Sequence, residues 1–411
     1  MQHSDKHHWV TVWTASAQGA YPVGSAIAQP HLEMAIPQPQ KGLVNQSFRM
    51  IFKPALWSSK IRLRISNVFG KQTLQLRDLK VGFHLGGGAL VPETCVDILD
   101  MDIAAGKTQW TQPIELSKTA THQAAHLPNN ALVLSAWVAG ESGPITWHAK
   151  AMASSYLSMP NMRVSQQDSS EFKFPFSTTS MFFLDAADAF LAENCHAVAA
   201  FGDSLTDGTF TTLNGFDRWT DVLQRSLWLA GQHNTAVLNA GIGGNQVISP
   251  LSTQAPWRGG PAAIERLERD VLSLSGIRTL IWLEGINDFS ENGNAEVEDL
   301  KSALSLAVQR IRSEGIRVMG VTLPSAFKST RQGHGSHLQD TKRKSFNQFL
   351  LSSDLFDAVV DIDKVLTNPN SGCLDPLFDF DSTLGEPGDG IHPNRAGHAA
   401  IANEIFRALN G

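Results

Sequence analysis

The sequence predicts a chain in two parts: a β-sandwich of jelly-roll-like type over residues 1–176, and an α/β domain built on a five-stranded parallel sheet over residues 195–411. Three observations point there. Up to about residue 190, short runs alternate apolar and polar side chains, the period of half-buried strands. After Cys195 the pattern becomes apolar burst, loop and amphipathic segment, repeated. The length, 411 residues, is more than one hydrophobic core ordinarily organises.

In the first part, Lys60-Ile61-Arg62-Leu63-Arg64-Ile65 sets Ile61, Leu63 and Ile65 on one face and three cations on the other. Ser47 to Phe52, Leu79 to Leu85 and Ala131 to Val138 are further strands, and no long stretch keeps a helical period. Turn chemistry separates them at Asn67 to Gly70, at Gly86-Gly87-Gly88 and at Gly140 to Pro144. Residues 177–194 are expected to link the parts, with Met181-Phe182-Phe183-Leu184 packed at the junction. In the second part, Ala197 to Phe201, Ala236 to Leu238, Thr279 to Leu283, Val318 to Leu323 and Phe356 to Ile362 are expected as buried parallel strands. Trp219 to Ala230, Ala262 to Leu274, Val297 to Arg312, Thr341 to Leu351 and Pro393 to Leu409 are the expected helices.

Composition removes several function classes. Lys plus Arg is 33 against 39 Asp plus Glu, so there is no basic surplus for a nucleic-acid or anionic-membrane partner. No apolar run is long enough for a membrane span, and Met1 to Trp9 lacks the apolar core of a secretion signal. Three cysteines, Cys95, Cys195 and Cys373, without C-x-x-C spacing, fit a reducing compartment, so a cytoplasmic location is expected. The glycine pairs at 243–244 and 259–260 lack the spacing of a dinucleotide or Walker loop, so no nucleotide or other cofactor is expected.

The chemistry gathers at strand ends, where ligands bind in open parallel sheets. The first strand runs into Phe201-Gly202-Asp203-Ser204-Leu205. The second is followed by Asn239-Ala240-Gly241-Ile242-Gly243-Gly244-Asn245, the third by Glu284-Gly285-Ile286-Asn287-Asp288, and the last helix by way of Asp389-Gly390-Ile391-His392-Pro393. Ser204, Gly244, Asn287 and His392 are separated by 40, 43 and 105 residues, the spacing of successive βα units. A serine needs a base, and the unperturbed pKa of histidine suits that task near neutrality. Asp389, three residues before His392, is placed to orient the imidazole. A glycine at 244 lets backbone approach a substrate, and an amide at 287 donates without titrating.

These four blocks, in this order, resemble the SGNH hydrolases, the GDSL family of esterases and lipases. Trp9-Val10-Thr11-Val12-Trp13-Thr14-Ala15-Ser16 and Arg62-Leu63-Arg64-Ile65-Ser66-Asn67-Val68-Phe69-Gly70 are similar to a subgroup with an N-terminal β-rich domain. The resemblance implies a flavodoxin-like three-layer hydrolase domain. It implies Ser204 as nucleophile, His392 as base and Asp389 as its orienting partner. Ser204 N–H, Gly244 N–H and the Asn287 amide become the oxyanion donors. It also implies short acyl esters as substrates, acetyl groups on carbohydrate foremost. A general short-chain carboxylesterase, an acyltransferase and a glycan-binding protein with a weak hydrolase domain stand as alternatives.

Weaker signals are read conservatively. Asp203, Asp207 and Asp288 are expected to pin loops through backbone hydrogen bonds. His3, His7 and His8 belong to a mobile terminus, and no metal site is expected from His334 and His337. Trp219, Trp228 and Trp282 are expected to pack internally, and Trp257, in a loop beyond Gly244, is the candidate substrate contact.

Overall fold

The computed structural model describes residues 6–19, 32–125, 130–250, 258–380 and 388–411. The chain divides into two compact units, Met1–His196 and Ala197–Gly411.

The first unit is strand-rich and carries several sheets. One orders the strands His7–Thr14, Leu184–Ala192, Lys60–Ser66 and Ile114–Glu115, with Thr108–Trp110 also paired to Lys60–Ser66. A larger sheet centres on Ser47–Phe52, Leu132–Val138 and Leu74–Gly86, all antiparallel. Trp13 of the first sheet lies 5.5 Å from Phe52 of the second, and Phe48 lies 5.8 Å from Phe183, which stands just before Leu184–Ala192.

Three expectations are corrected here. Residues 177–194 are no linker, because Leu184–Ala192 is an interior strand paired to His7–Thr14 and to Lys60–Ser66. Its sequence, LDAADAFLA, lacks β-branched residues, and its aspartates take hydrogen bonds from across the sheet. Asp185 takes a 2.7 Å bond from Arg64, while Asp188 accepts from Arg62 at 2.8 Å and from Thr11 at 2.7 Å. His7 and His8 open the first strand instead of trailing, with His7 stacked on Phe190 and His8 bonded to the Cys195 carbonyl at 3.0 Å. A helix at Lys118–Ala125 interrupts the strands, and its two turns carry too little apolar periodicity to be legible.

The second unit contains strands β1 (His196–Gly202), β2 (Thr235–Gly241), β3 (Ile277–Leu283), β4 (Arg317–Val321) and β5 (Ala358–Val360). Their order is 2-1-3-4-5, and the pairs β1–β3, β3–β4 and β4–β5 are parallel. That is the flavodoxin-like order, in which the first and third strands meet at a topological switch point. Helices α1 (Ser204–Asp207), α2 (Trp219–Leu229), α3 (Ala263–Leu267), α4 (Val297–Ser313), α5 (His337–Ser352), α6 (Asp363–Leu366), α7 (Pro376–Asp379) and α8 (Arg395–Asn410) connect and cover the strands. A π-helical stretch, Glu268–Leu272, continues α3. Trp219 and Trp282 are buried in this core and Trp228 is half-buried. Among the described residues no helix is long and apolar enough to cross a membrane. The three cysteines form no disulfide with one another.

His398 ties α8 to α2: it is fully buried, and its Nδ1 accepts the Trp219 backbone N–H at 3.1 Å. Burial pushes its pKa down to about 4, reinforced by the charges of His392 and Arg218 and opposed by Asp217 and Asp221. The unfolded chain therefore binds the proton first, and this histidine's contribution to stability is lost as pH falls from its ordinary value through about 4. His398→Gln keeps an acceptor without a titrating ring. Its Tm is expected to fall less steeply than that of the wild type between pH 6.5 and 4, a difference of roughly 3 kcal/mol at the acid end. Parallel acid limbs in thermal melts would refute this.

Candidate active site

Each proposed functional residue follows from the way a strand ends. β1 closes at Gly202, where a Cβ would stand 2.2 Å from the Leu283 carbonyl, so only glycine lets β1 and β3 run side by side there. Asp203 then caps α1, its Oδ1 accepting the Leu205 N–H at 2.9 Å, and Ser204 becomes the first residue of the helix. β2 leads to Gly244, held at φ +80°, a left-handed conformation that disfavours any Cβ. β3 leads to the Gly285–Asp288 turn, and the turn Asp389–His392 precedes α8.

The structure brings Ser204, Asp389 and His392 together. His392 Nδ1 lies 2.7 Å from Asp389 Oδ2, and His392 Nε2 lies 2.9 Å from Ser204 Oγ. A carboxylate only accepts, so the imidazole proton sits on Nδ1 and the Nε2 lone pair takes the serine hydroxyl. Asp389 Oδ1 also accepts the backbone N–H groups of His392 at 2.9 Å and Ile391 at 3.1 Å. Burial alone would raise the Asp389 carboxyl; the hydrogen bond and charge of His392, with these two N–H groups, outweigh it and hold it below the usual carboxylate range. Phe210, itself at φ +69°, stands edge-on to the His392 ring with centroids 5.0 Å apart. Ser204, Asn287 and His392 are 5%, 6% and 4% exposed, so the hydrogen-bonded chain is largely withdrawn from water.

The donors expected around a developing oxyanion come from three loops. Asn287 Nδ2 spends one hydrogen on the Asn245 carbonyl at 2.9 Å, which fixes the amide and leaves the second N–H. Among the described residues neither the Ser204 nor the Gly244 N–H has an acceptor. Trp257 lies outside the described residues.

The three acids act as loop pins. Asp207 Oδ2 accepts Gly243 N–H at 2.8 Å, and Asp288 accepts Val247 N–H at 2.8 Å and Ile248 N–H at 3.2 Å. Burial pushes Asp203 and Asp288 up to about 7 against those backbone hydrogen bonds. Their contribution to stability is full at acid pH and is lost as pH rises through about 7.

The loop from Ser325 to Ser336 lies against the Asp389 turn. Ser329 Oγ donates to the Asp389 carbonyl at 2.6 Å and Thr330 N–H to the same oxygen at 3.0 Å. It carries His334, whose pKa burial lowers to about 4, with His392 and Arg331 acting the same way and Asp389 opposing. Among the described residues no three His, Cys, Asp or Glu side chains are grouped to hold a metal.

The chain is similar to known proteins over this unit. A family model described as the GDSL-like lipase/acylhydrolase family matches residues 200–400. Solved structures similar to the chain include the acetyl xylan esterase AlAXEase, with 18% identity over 52% of this chain and 99% of that one, at a TM-score of 0.39. A lipase/acylhydrolase from Enterococcus faecalis shares 22% identity over 53% of this chain and 96% of its own, at a TM-score of 0.40. The inhibitor-bound aryl esterase of M. smegmatis shares 15% over 53% and 99%, at a TM-score of 0.41. No curated protein matches. Residues 200–400 thus match the GDSL-like lipase/acylhydrolase family, a family of carboxylic ester hydrolases.

Proposed function

We propose that the second unit hydrolyses short acyl esters through an acyl-enzyme on Ser204. The observation that carries this reading is the unbroken chain Asp389–His392–Ser204, with both links under 3 Å. Ser204 Oγ attacks the ester carbonyl while its proton passes to His392 Nε2, and Asp389 stabilises the imidazolium. The oxyanion takes hydrogen bonds from Ser204 N–H, Gly244 N–H and the second Asn287 N–H. Collapse breaks the bond to the alkoxide, which leaves as alcohol with the proton from Nε2. Water then attacks the acyl-enzyme, its proton moves through His392 to Ser204 Oγ, and the carboxylic acid departs.

The acyl group in this reading is short, acetyl first, because Ser204, Asn287 and His392 are closely covered and the Phe210 ring stands against the imidazole. The alcohol is polar, carbohydrate first: the loop bound to Asp389 presents Ser329, Thr330, Arg331 and His334. A general carboxylesterase is the second reading, favoured by Leu377 and Phe380, which are 67% and 75% exposed and whose carbonyls are bonded to Asn394, two residues past His392.

Acetate release from acetylated xylan, pectin and mono-sugar acetates, beside p-nitrophenyl esters of rising chain length, separates the two. A higher kcat/KM on a sugar acetate is the expected result; turnover of the synthetic esters alone would leave the general carboxylesterase. Asn287→Ala is expected to lower kcat by about 100- to 1,000-fold with KM nearly unchanged, since the oxyanion exists only near the transition state. An effect confined to KM would remove Asn287 from that role.

A further inference from the structure

The mechanism above makes no use of the buried cation Arg266. Arg266, in α3, is 1% exposed, and its guanidinium lies 4.0 Å over the Phe201 ring. Its Nε donates to Asn245 Oδ1 at 2.7 Å, and Nη1 to the Ala240 carbonyl at 2.8 Å and to Asp270 Oδ2 at 3.2 Å. Nη2 donates to the Gly202 carbonyl at 2.9 Å and to Glu284 Oε2 at 3.3 Å.

The places of these acceptors matter more than their number. Gly202 closes β1, two residues before Ser204. Ala240 lies in β2, four residues before Gly244, and Asn245 follows Gly244 directly. Glu284 is the first residue beyond β3, three before Asn287. One planar group therefore bonds at the root of every loop that carries an oxyanion donor. The relay is shortest at Asn245: its side chain is held by Arg266 and by its own donation to the Gly259 and Pro261 carbonyls at 2.6 and 2.7 Å. Its backbone carbonyl in turn holds Asn287 Nδ2.

We propose that Arg266 is the positioning residue of the oxyanion site, fixing the spacing of the Ser204, Gly244 and Asn287 donors relative to one another. The inference rests on the reading of Ser204 as the nucleophile of an ester hydrolase. Its physical basis is that the parallel sheet sets strand spacing but not the course of loops beyond strand ends, where ladder hydrogen bonds stop. A guanidinium offers five donors in one rigid plane, whereas a lysine in its place is a point charge on a flexible stem. A displacement of about 1 Å at a reacting centre costs on the order of 100-fold in rate. Asp270, whose carboxyl burial alone would raise but the charges of Arg269 and Arg266 hold below its usual range, supplies the countercharge that lets the cation be buried.

The full chain is compared with Arg266→Lys, Asn245→Ser and Asp270→Asn. For each, Tm, kcat and KM on p-nitrophenyl acetate, the fraction of sites taking a fluorophosphonate at completion, and the Ki of an aryl trifluoromethyl ketone are measured. Arg266→Lys is expected to lower kcat per labelled site by about 30- to 100-fold with KM within about threefold, and to raise the Ki in the same proportion. Asp270→Asn keeps an oxygen that accepts from Nη1 while removing the charge, so Tm should fall while kcat per labelled site stays within about threefold of wild type. Unchanged kcat per labelled site in folded Arg266→Lys would reduce Arg266 to a scaffold ion pair and overturn the proposal. If that variant does not fold, Asn245→Ser decides: a loss of at least tenfold in kcat at constant KM upholds the relay, and an unchanged kcat overturns it. Failure of the wild-type protein to be labelled at Ser204 would instead strike down the nucleophile assignment on which the inference rests.

Discussion

Replacing Ser204 by alanine is expected to lower kcat on short acyl esters on the order of 10⁶-fold and to abolish fluorophosphonate labelling. In the proposed mechanism the variant loses the atom that forms the acyl-enzyme, and His392 Nε2 loses the hydroxyl that it faces at 2.9 Å. Little else changes. The N–H of residue 204 belongs to the backbone and stays at the start of α1, and Gly244 and Asn287 remain as donors. Substrate binding should therefore survive, and KM should move by less than the error of a weak activity. Quenched-flow kinetics with p-nitrophenyl acetate and mass spectrometry of the labelled protein check both halves. A label that persists on the alanine protein would assign the nucleophile elsewhere.

Asp389→Asn is expected to cost about 10⁴-fold in kcat without unfolding the protein. The asparagine oxygen can keep the two backbone hydrogen bonds from Ile391 and His392. The other position, which now accepts the His392 Nδ1 proton at 2.7 Å, becomes an amide that donates. Nδ1 must then accept, the proton moves to Nε2, and Nε2 can no longer take the proton of Ser204. The same variant tests the electrostatics. A carboxyl held below its ordinary range adds stability that is present above that range and is lost as pH falls through the folded value. Asp389→Asn should lack that acid-side loss in thermal melts. A fall in kcat of under tenfold would show that another group orients His392.

The candidate site was legible in the sequence to an unusual depth for local reasons. Ser204, Gly244 and Asn287 each sit within a few residues of a strand end, and Asp389 and His392 share one turn, so short motifs already carry their geometry. Asp203, Asp207 and Asp288 were legible as loop pins because a short carboxylate near a turn reaches backbone N–H groups. Arg266 was not. It stands in the run Glu265-Arg266-Leu267-Glu268-Arg269-Asp270, which looks like a solvated helix face, and its burial depends on acceptors from residues 202, 240, 245 and 284. The strand Leu184–Ala192 escaped for the same reason. Its Asp185 and Asp188 argue against a buried strand until Arg64, Arg62 and Thr11 are set opposite them.

The amino-acid sequence by itself determined the succession of strand, loop and helix after Cys195, the strand-rich character of what precedes it, and the meeting of Ser204, Asp389 and His392 beyond the sheet. Apolar periodicity and turn chemistry act over a few residues, and the motifs lie where those signals end. Only the tertiary structure decided which ionic side chains are buried and what they hold together. A buried charge is tolerated where its partners converge from distant points of the chain, and that convergence is a property of the folded sheet rather than of any neighbourhood in sequence.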